Sequence, residues 1–173
     1  MKKVFSFVAA SLAVLSLSFT SCTEDPAKPL SVDMSAGKTA TISGTLLVNP
    51  DVTKDPDKQT FEGKSATIIV TVPYSEILDD ASAKGNWITT VTSDSRGIFS
   101  VEVPTNPKGV TVSFTVSDIR GEQKQKVLGD DKTLSGVWKF SVTDEGGVKP
   151  GKIIVKEHTE GKFTALKEDG SKI

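Results

Sequence analysis

The sequence predicts an all-β protein, an antiparallel sandwich of about seven strands that begins near residue 39. Two observations carry that prediction. From Thr39 onward, apolar residues recur with period two in short runs rich in Val, Ile and Thr, the pattern of a strand with one face buried and one in water. The runs are separated by clusters of Gly, Pro, Asn and Asp, which end strands and turn the chain. Size agrees with both: beyond residue 21 the chain has the length of one ordinary domain, which buries roughly 68–70% of its unfolded surface without disulfides.

Residues 1–21 read differently from the rest. Lys2 and Lys3 supply a positive start, and Val4 to Phe19 carries no charge, with Leu12, Val14, Leu15 and Leu17 at its centre. Spanning a bilayer takes about 20 consecutive apolar residues, and this shorter run is diluted by Ser6, Ser11, Ser16 and Ser18, so it reads as a cleavable export signal. Its end, Leu17-Ser18-Phe19-Thr20-Ser21-Cys22, resembles a bacterial lipobox, departing from that pattern at Phe19, where Leu is usual. The resemblance implies cleavage before Cys22, a diacylglyceryl group on its sulfur and acylation of the new amino terminus. Cys22 is the only cysteine, so an internal disulfide is excluded, and the polar, proline-containing residues that follow it argue against burial. Two or more acyl chains give stable anchoring, at about 0.8 kcal/mol per buried methylene. Residues 22–38 are expected to form a flexible tether, which spans at most about 50 Å when extended. Within it Glu24 and Asp25 resemble the acidic export signals of surface lipoproteins in some Gram-negative lineages.

The strands follow in order. Thr41–Val48 places Ile42, Leu46 and Val48 on one face, and Ser65–Val72 directs Ala66, Ile68, Val70 and Val72 inward. Between them, Asn49–Lys64 holds two prolines and four acids and reads as a surface excursion. Trp87–Thr92 and Ile98–Val103, joined by Ser93-Asp94-Ser95-Arg96-Gly97, read as a hairpin with Gly97 in the left-handed conformation and Pro104 ending the returning strand. Val110, Val112, Phe114 and Val116 alternate with hydroxyl residues in the clearest strand of the chain. Arg120–Lys126 is charged and fits a strand edge, a loop or a short helical turn. Trp138, Phe140 and Val142 form another strand face, Asp144–Gly147 a turn, and Lys152–Lys156 and Phe163–Leu166 two weaker strands.

Ile42-Ser43-Gly44-Thr45, Ala66-Thr67-Ile68-Ile69-Val70 and Thr89–Pro104 with its Asp-x-x-Gly turn together resemble transthyretin-like or carboxypeptidase-regulatory-like modules. The resemblance covers 39–118, the better-matched part of an expected 39–173 domain, and implies an immunoglobulin-like or transthyretin-like sandwich rather than any activity.

Charge excludes one class of partner. Two of the 21 basic residues lie in the signal, which leaves the mature chain mildly acidic, and its lysines are interleaved with Asp and Glu, so no nucleic-acid surface is expected. The single histidine, His158, lies among Lys156, Glu157 and Glu160 and reads as a surface residue, and no serine sits in a nucleophile elbow. The adjacent acids Asp79-Asp80 and Asp130-Asp131 point to opposite faces if on strands, unlike the carboxylates that flank a glycosidic bond. Asp51, Asp55 and Asp57 are a calcium candidate without the spacing of an EF-hand loop. Tyr74 and Trp87 are the candidate ligand-binding aromatics, whereas Trp138 shares a face with Phe140 and reads as core.

These readings converge on a non-enzymatic protein of the outer membrane and cell surface, anchored by lipid, with no cofactor and with a glycan or protein partner in the envelope. Two alternatives stand beside it: a fimbria-associated structural subunit that accepts or donates a strand, and a glycan-binding accessory lipoprotein.

Overall fold

The structure, a computed structural model, describes residues 30–167 apart from 36, 56, 58 and 59. The export signal of 1–21, Cys22 and the tether as far as residue 29 lie outside the described residues. From Leu30 to Lys38 the described residues enter no helix or strand and are mostly exposed; Asp33 accepts hydrogen bonds from the Ser35 amide (2.9 Å) and the Lys38 ammonium (2.7 Å).

Among the described residues the protein is all-β, with one four-residue helix. In chain order the elements are β1 (Thr39–Val48), β2 (Glu62–Gly63), β3 (Thr67–Pro73), α1 (Tyr74–Ile77), β4 (Asn86–Thr92), β5 (Ile98–Pro104), β6 (Val110–Val116), β7 (Ile119–Val127), β8 (Asp130–Lys139), β9 (Thr143–Val148), β10 (Ile153–Val155), β11 (Thr159–Glu160) and β12 (Lys162–Ala165). They form three sheets.

The first sheet is organised on β1. One side of β1 bonds antiparallel to β5 along Thr39–Thr45 and to β2 at Leu47 and Val48. Its other side bonds parallel to β10, with Thr41 opposite Ile153, and to β11, with Leu46 opposite Thr159. The second sheet, in the order β4-β3-β6-β9, is antiparallel throughout. One apolar core joins the two. Ile42 and Leu46 of β1 and Val101 and Val103 of β5 pack with Ile68, Val70 and Val72 of β3, Val112 and Phe114 of β6, and Val148 of β9. The period-two pattern produces this directly, because alternate side chains leave a strand on opposite faces and each fully buried one contributes about 1.5–3 kcal/mol. Gly44 is part of the fit: the Phe99 ring lies 2.7 Å from where a Cβ would stand, and that ring packs 5.9 Å from Phe114.

The third sheet, β12-β8-β7, is a separate layer. The long β7–β8 pair turns through Leu128 and Gly129, both with positive φ, as a two-residue hairpin turn requires. Trp138 is buried and packs against Phe163, ring centroids 4.8 Å apart and planes tilted by 57°, and the sheet makes room for both rings with glycine: a Cβ at Gly121 would meet the Trp138 indole at 3.0 Å, and one at Gly136 would strike the Phe163 ring and the Thr164 carbonyl. The layer is tied to β1 by the residues that follow it. The Lys124 amide donates to the Pro50 carbonyl (2.8 Å), the Val52 amide to the Lys124 carbonyl (2.9 Å), and buried Gln123 donates from Nε2 to the Asn49 carbonyl (2.6 Å).

Several expectations are corrected here. The segments around Ser93–Gly97 do not form a hairpin: β4 pairs with β3 and β5 with β1, so the turn carries the chain from the second sheet to the first. Among the described residues the sheets number three rather than two, two strand pairings are parallel, and the count of strands rises from about seven to twelve because short segments pair with long ones. Of the three readings left open for Arg120–Lys126, the strand edge holds: the segment lies within β7, at the edge of its sheet. Asp144–Gly147 is not a turn but the body of β9, which absorbs its glycines through a register shift opposite Val110 and Val112. Val142 lies beyond β8 and is 61% exposed, and Asn49–Asp51 is more than a surface excursion, since it bonds to β7.

Gly136→Ala is expected to lower stability by about 1–3 kcal/mol through overpacking against Phe163 and Thr164. Gly146→Ala, where a Cβ meets nothing within 4 Å and φ is not positive, should stay within about 0.5 kcal/mol of the parent in denaturant titrations.

Candidate functional site

The sequence-predicted aromatics both lie towards one end of the β3–β4 ladder. Proline at the end of β3 leads into α1, and the Tyr74 amide returns to the Gly85 carbonyl (3.1 Å), so Tyr74 lies beside the chain entering β4. Trp87 stands opposite Val72 one step along the same ladder. Both are half-buried, and Trp87 packs against the core rather than standing free in solvent. The ring of Tyr74 lies over Gly85, 3.7 Å from a Cβ position there. The same end is braced by Asn106, which donates to the Glu76 carbonyl, by Glu76, whose carboxylate takes the Thr111 amide, and by a 2.7 Å ion pair between Lys108 and Asp79.

The acidic candidates are brought to different uses. Asp51 accepts the Thr53 hydroxyl (2.6 Å) and amide (3.0 Å) and lies 3.5 Å from Lys54; the Thr53 bonds first, then the Lys54 and Lys124 charges, hold its carboxyl below the usual range. Asp55 accepts the Asp57 amide. Among the described residues no group of three or more His, Cys, Asp or Glu converges as a metal site, so the structure does not bring Asp51, Asp55 and Asp57 together. Asp80 closes a turn onto Ser82, whose hydroxyl and amide depress its pKa, while Asp79 turns to Lys108. Asp131 pairs with Lys124 at 3.1 Å and raises that lysine's pKa, and Asp130 is exposed. His158 is exposed with Nε2 3.2 Å from Glu160. Trp138 is core.

Sequence reasoning missed one feature, a solvent-open groove of about 800 Å³ on the third sheet. Arg120, Glu122, Thr133, Ser135 and Lys167 bring opposite charges and hydroxyls to it, with Leu134 and Leu166 as its apolar part. The alternation of charged residues with Gly and Gln in Arg120–Lys126 is the only signal in the sequence that pointed to it.

The turn between β4 and β5 is the most fully bonded polar cluster. Buried Ser93 donates from its hydroxyl to the Lys64 carbonyl and accepts the Ala66 amide, both at 2.9 Å. Asp94 accepts the amides of Arg96 and Ile98 at 2.9 Å and the Arg96 guanidinium at 3.1 Å, and the Ile98 amide first, then Arg96, pulls its carboxyl below the usual range. Gly97 at φ 80° completes the turn, and a Cβ there would strike the Leu46 carbonyl. This cluster ties the crossover between the two sheets to β3 and β1.

No protein-family profile matches the chain, and no curated protein aligns with it at a significant level.

The Asp94 bonds favour its ionised form, so their contribution is present above the ordinary carboxyl value of 3.8 and is lost as pH falls through the lower folded-state value. Thermal unfolding of the parent and Asp94→Asn should therefore differ at pH 7, the variant melting earlier, and the gap should close as pH is taken below 3.8.

Proposed function

We propose that the protein is a lipid-anchored component of the cell envelope, held in the outer membrane and displayed at the cell surface, whose β-domain is a non-catalytic binding or assembly module. The observation that carries the reading is the placement of Cys22: the only cysteine ends an uncharged run preceded by Lys2 and Lys3 and is followed by a polar, proline-containing segment. A thiol so placed, at the edge of a removed signal, serves as an acylation site, and the acyl chains then supply the membrane affinity. The described residues of 30–38, largely exposed and outside any helix or strand, suit a spacer between that anchor and β1.

The immunoglobulin-like or transthyretin-like reading of the domain is supported by the core shared between the first two sheets and by the Asp94–Gly97 turn that passes the chain from one to the other. The non-catalytic reading is supported by the use made of the titratable groups: Asp51, Asp80 and Asp94 close turns, and Lys124 joins Asp131. Assembly is favoured over glycan binding by one observation. Trp87, the better aromatic platform, is drawn against the core, while the outer edge of β4 is left unpaired among the described residues.

Cells fed a labelled fatty acid should incorporate it into the full chain and hold that chain in the membrane fraction. Cys22→Ala should lose the label and leave that fraction; label retained by the variant would refute the anchor.

A further inference from the structure

The outer edge of β4 is a sheet edge without the usual protection. Ser93 N to Ala66 O (3.0 Å) and Tyr74 N to Gly85 O (3.1 Å) bracket the β3–β4 ladder, and with Thr89 opposite Val70 between them, residues 87, 89 and 91 direct their backbone groups to β3. Asn86, Ile88, Thr90 and Thr92 direct theirs outward, where no described strand receives them, and all four are exposed. Folded proteins block such edges with charge, proline, bulges or shortness. β9, at the far side of the same sheet, carries Asp144, Glu145 and a register shift; β7 is charged along its length and partly covered by Asp51 and Val52; β10 and β11 have three and two residues. β4 is seven residues long and has no charge, no proline and no bulge.

Its sequence is also symmetric in character about Thr89. Ile88 and Thr90, both β-branched, flank the centre; Trp87 and Val91, both apolar, come next; Asn86 and Thr92, both polar, close the strand. A two-fold contact demands this property, because each residue meets its mirror position on the other copy. We propose that β4 pairs antiparallel with β4 of a second copy of this chain, centred on Thr89, which joins two four-stranded sheets into one continuous sheet. In this register Asn86 faces Thr92 and Ile88 faces Thr90 of the second copy, so every outward backbone group of β4 gains a partner. Trp87 faces Val91 on the core side, where both are half-buried at the rim of the apolar cluster, and each copy closes the other's core there. The absence of charge along β4 leaves no like-charge pair across the axis. The pairing does not require the lipid anchor.

The two-fold places Thr89 directly opposite its copy, so a thiol introduced there reports the pair. The full chain carrying Cys22→Ser and Thr89→Cys, oxidised mildly and run without reductant, is expected to give a reducible species of twice the mass as its main band. Adding Thr90→Pro, which removes an outward N–H and none of the bonds to β3, should abolish that band while leaving the circular-dichroism spectrum and unfolding midpoint near the parent. A Cys22→Ser chain with Ile98→Cys on β5 controls for collision. No dimer from Thr89→Cys, a dimer that survives Thr90→Pro, or an equal yield from Ile98→Cys would each overturn the proposal.

Discussion

The structure depends on one strand hydrogen-bonded along both sides. β1 takes β5 and β2 on one flank and β10 and β11 on the other, and its inward residues Ile42, Leu46 and Val48 are almost wholly removed from water. A slip of one residue would turn this set outward, so burial fixes the register of every strand that touches it. The same strand hands the chain to the third sheet through Asn49 and Pro50. Its partners come from both ends of the domain, so β1 must wait for distant segments to return, an arrangement that slows folding relative to local pairing.

That closure settles how the chain after Ile119 relates to what precedes it. β9 joins the second sheet and β10 and β11 join the first, so the late segments complete the layers begun before them, whereas β7, β8 and β12 form a layer of their own. The two groups are interleaved in sequence. Ile119, Phe140 and Ile154 pack against the main cluster, which binds the late segments to it.

Legibility in the sequence followed burial. β1, β3, β5 and β6 bury one face and leave the other half-buried or exposed, and their alternation was plain. β7 buries only Gln123 and relies on backbone pairing with β8, so its residues offered no apolar period. β9 read as a turn because Gly146 and Gly147 signal turns and bulges alike, and only a partner strand distinguishes them. The β4–β5 connection misled for a similar reason. Asp94 and Gly97 build the same tight turn whether the chain returns beside itself or crosses to another sheet, and the choice lies in distant partners, Ala66 on one side and Leu46 on the other. Tyr74 and Trp87 were legible as aromatics, but their half-burial depended on what α1 and the core placed beside them.

In the proposed reading, a lipid at Cys22, an exposed spacer and a β-domain whose polar groups mostly serve its own turns join into a device for display rather than for catalysis. The most direct test is protease shaving of intact cells expressing the full chain, with a periplasmic protein as the leakage control. The account predicts that the 39–173 domain is lost from the cells while the control stays intact. Protection of the domain under conditions that strip known surface proteins would contradict display at the surface and would place the domain on the inner side of the membrane.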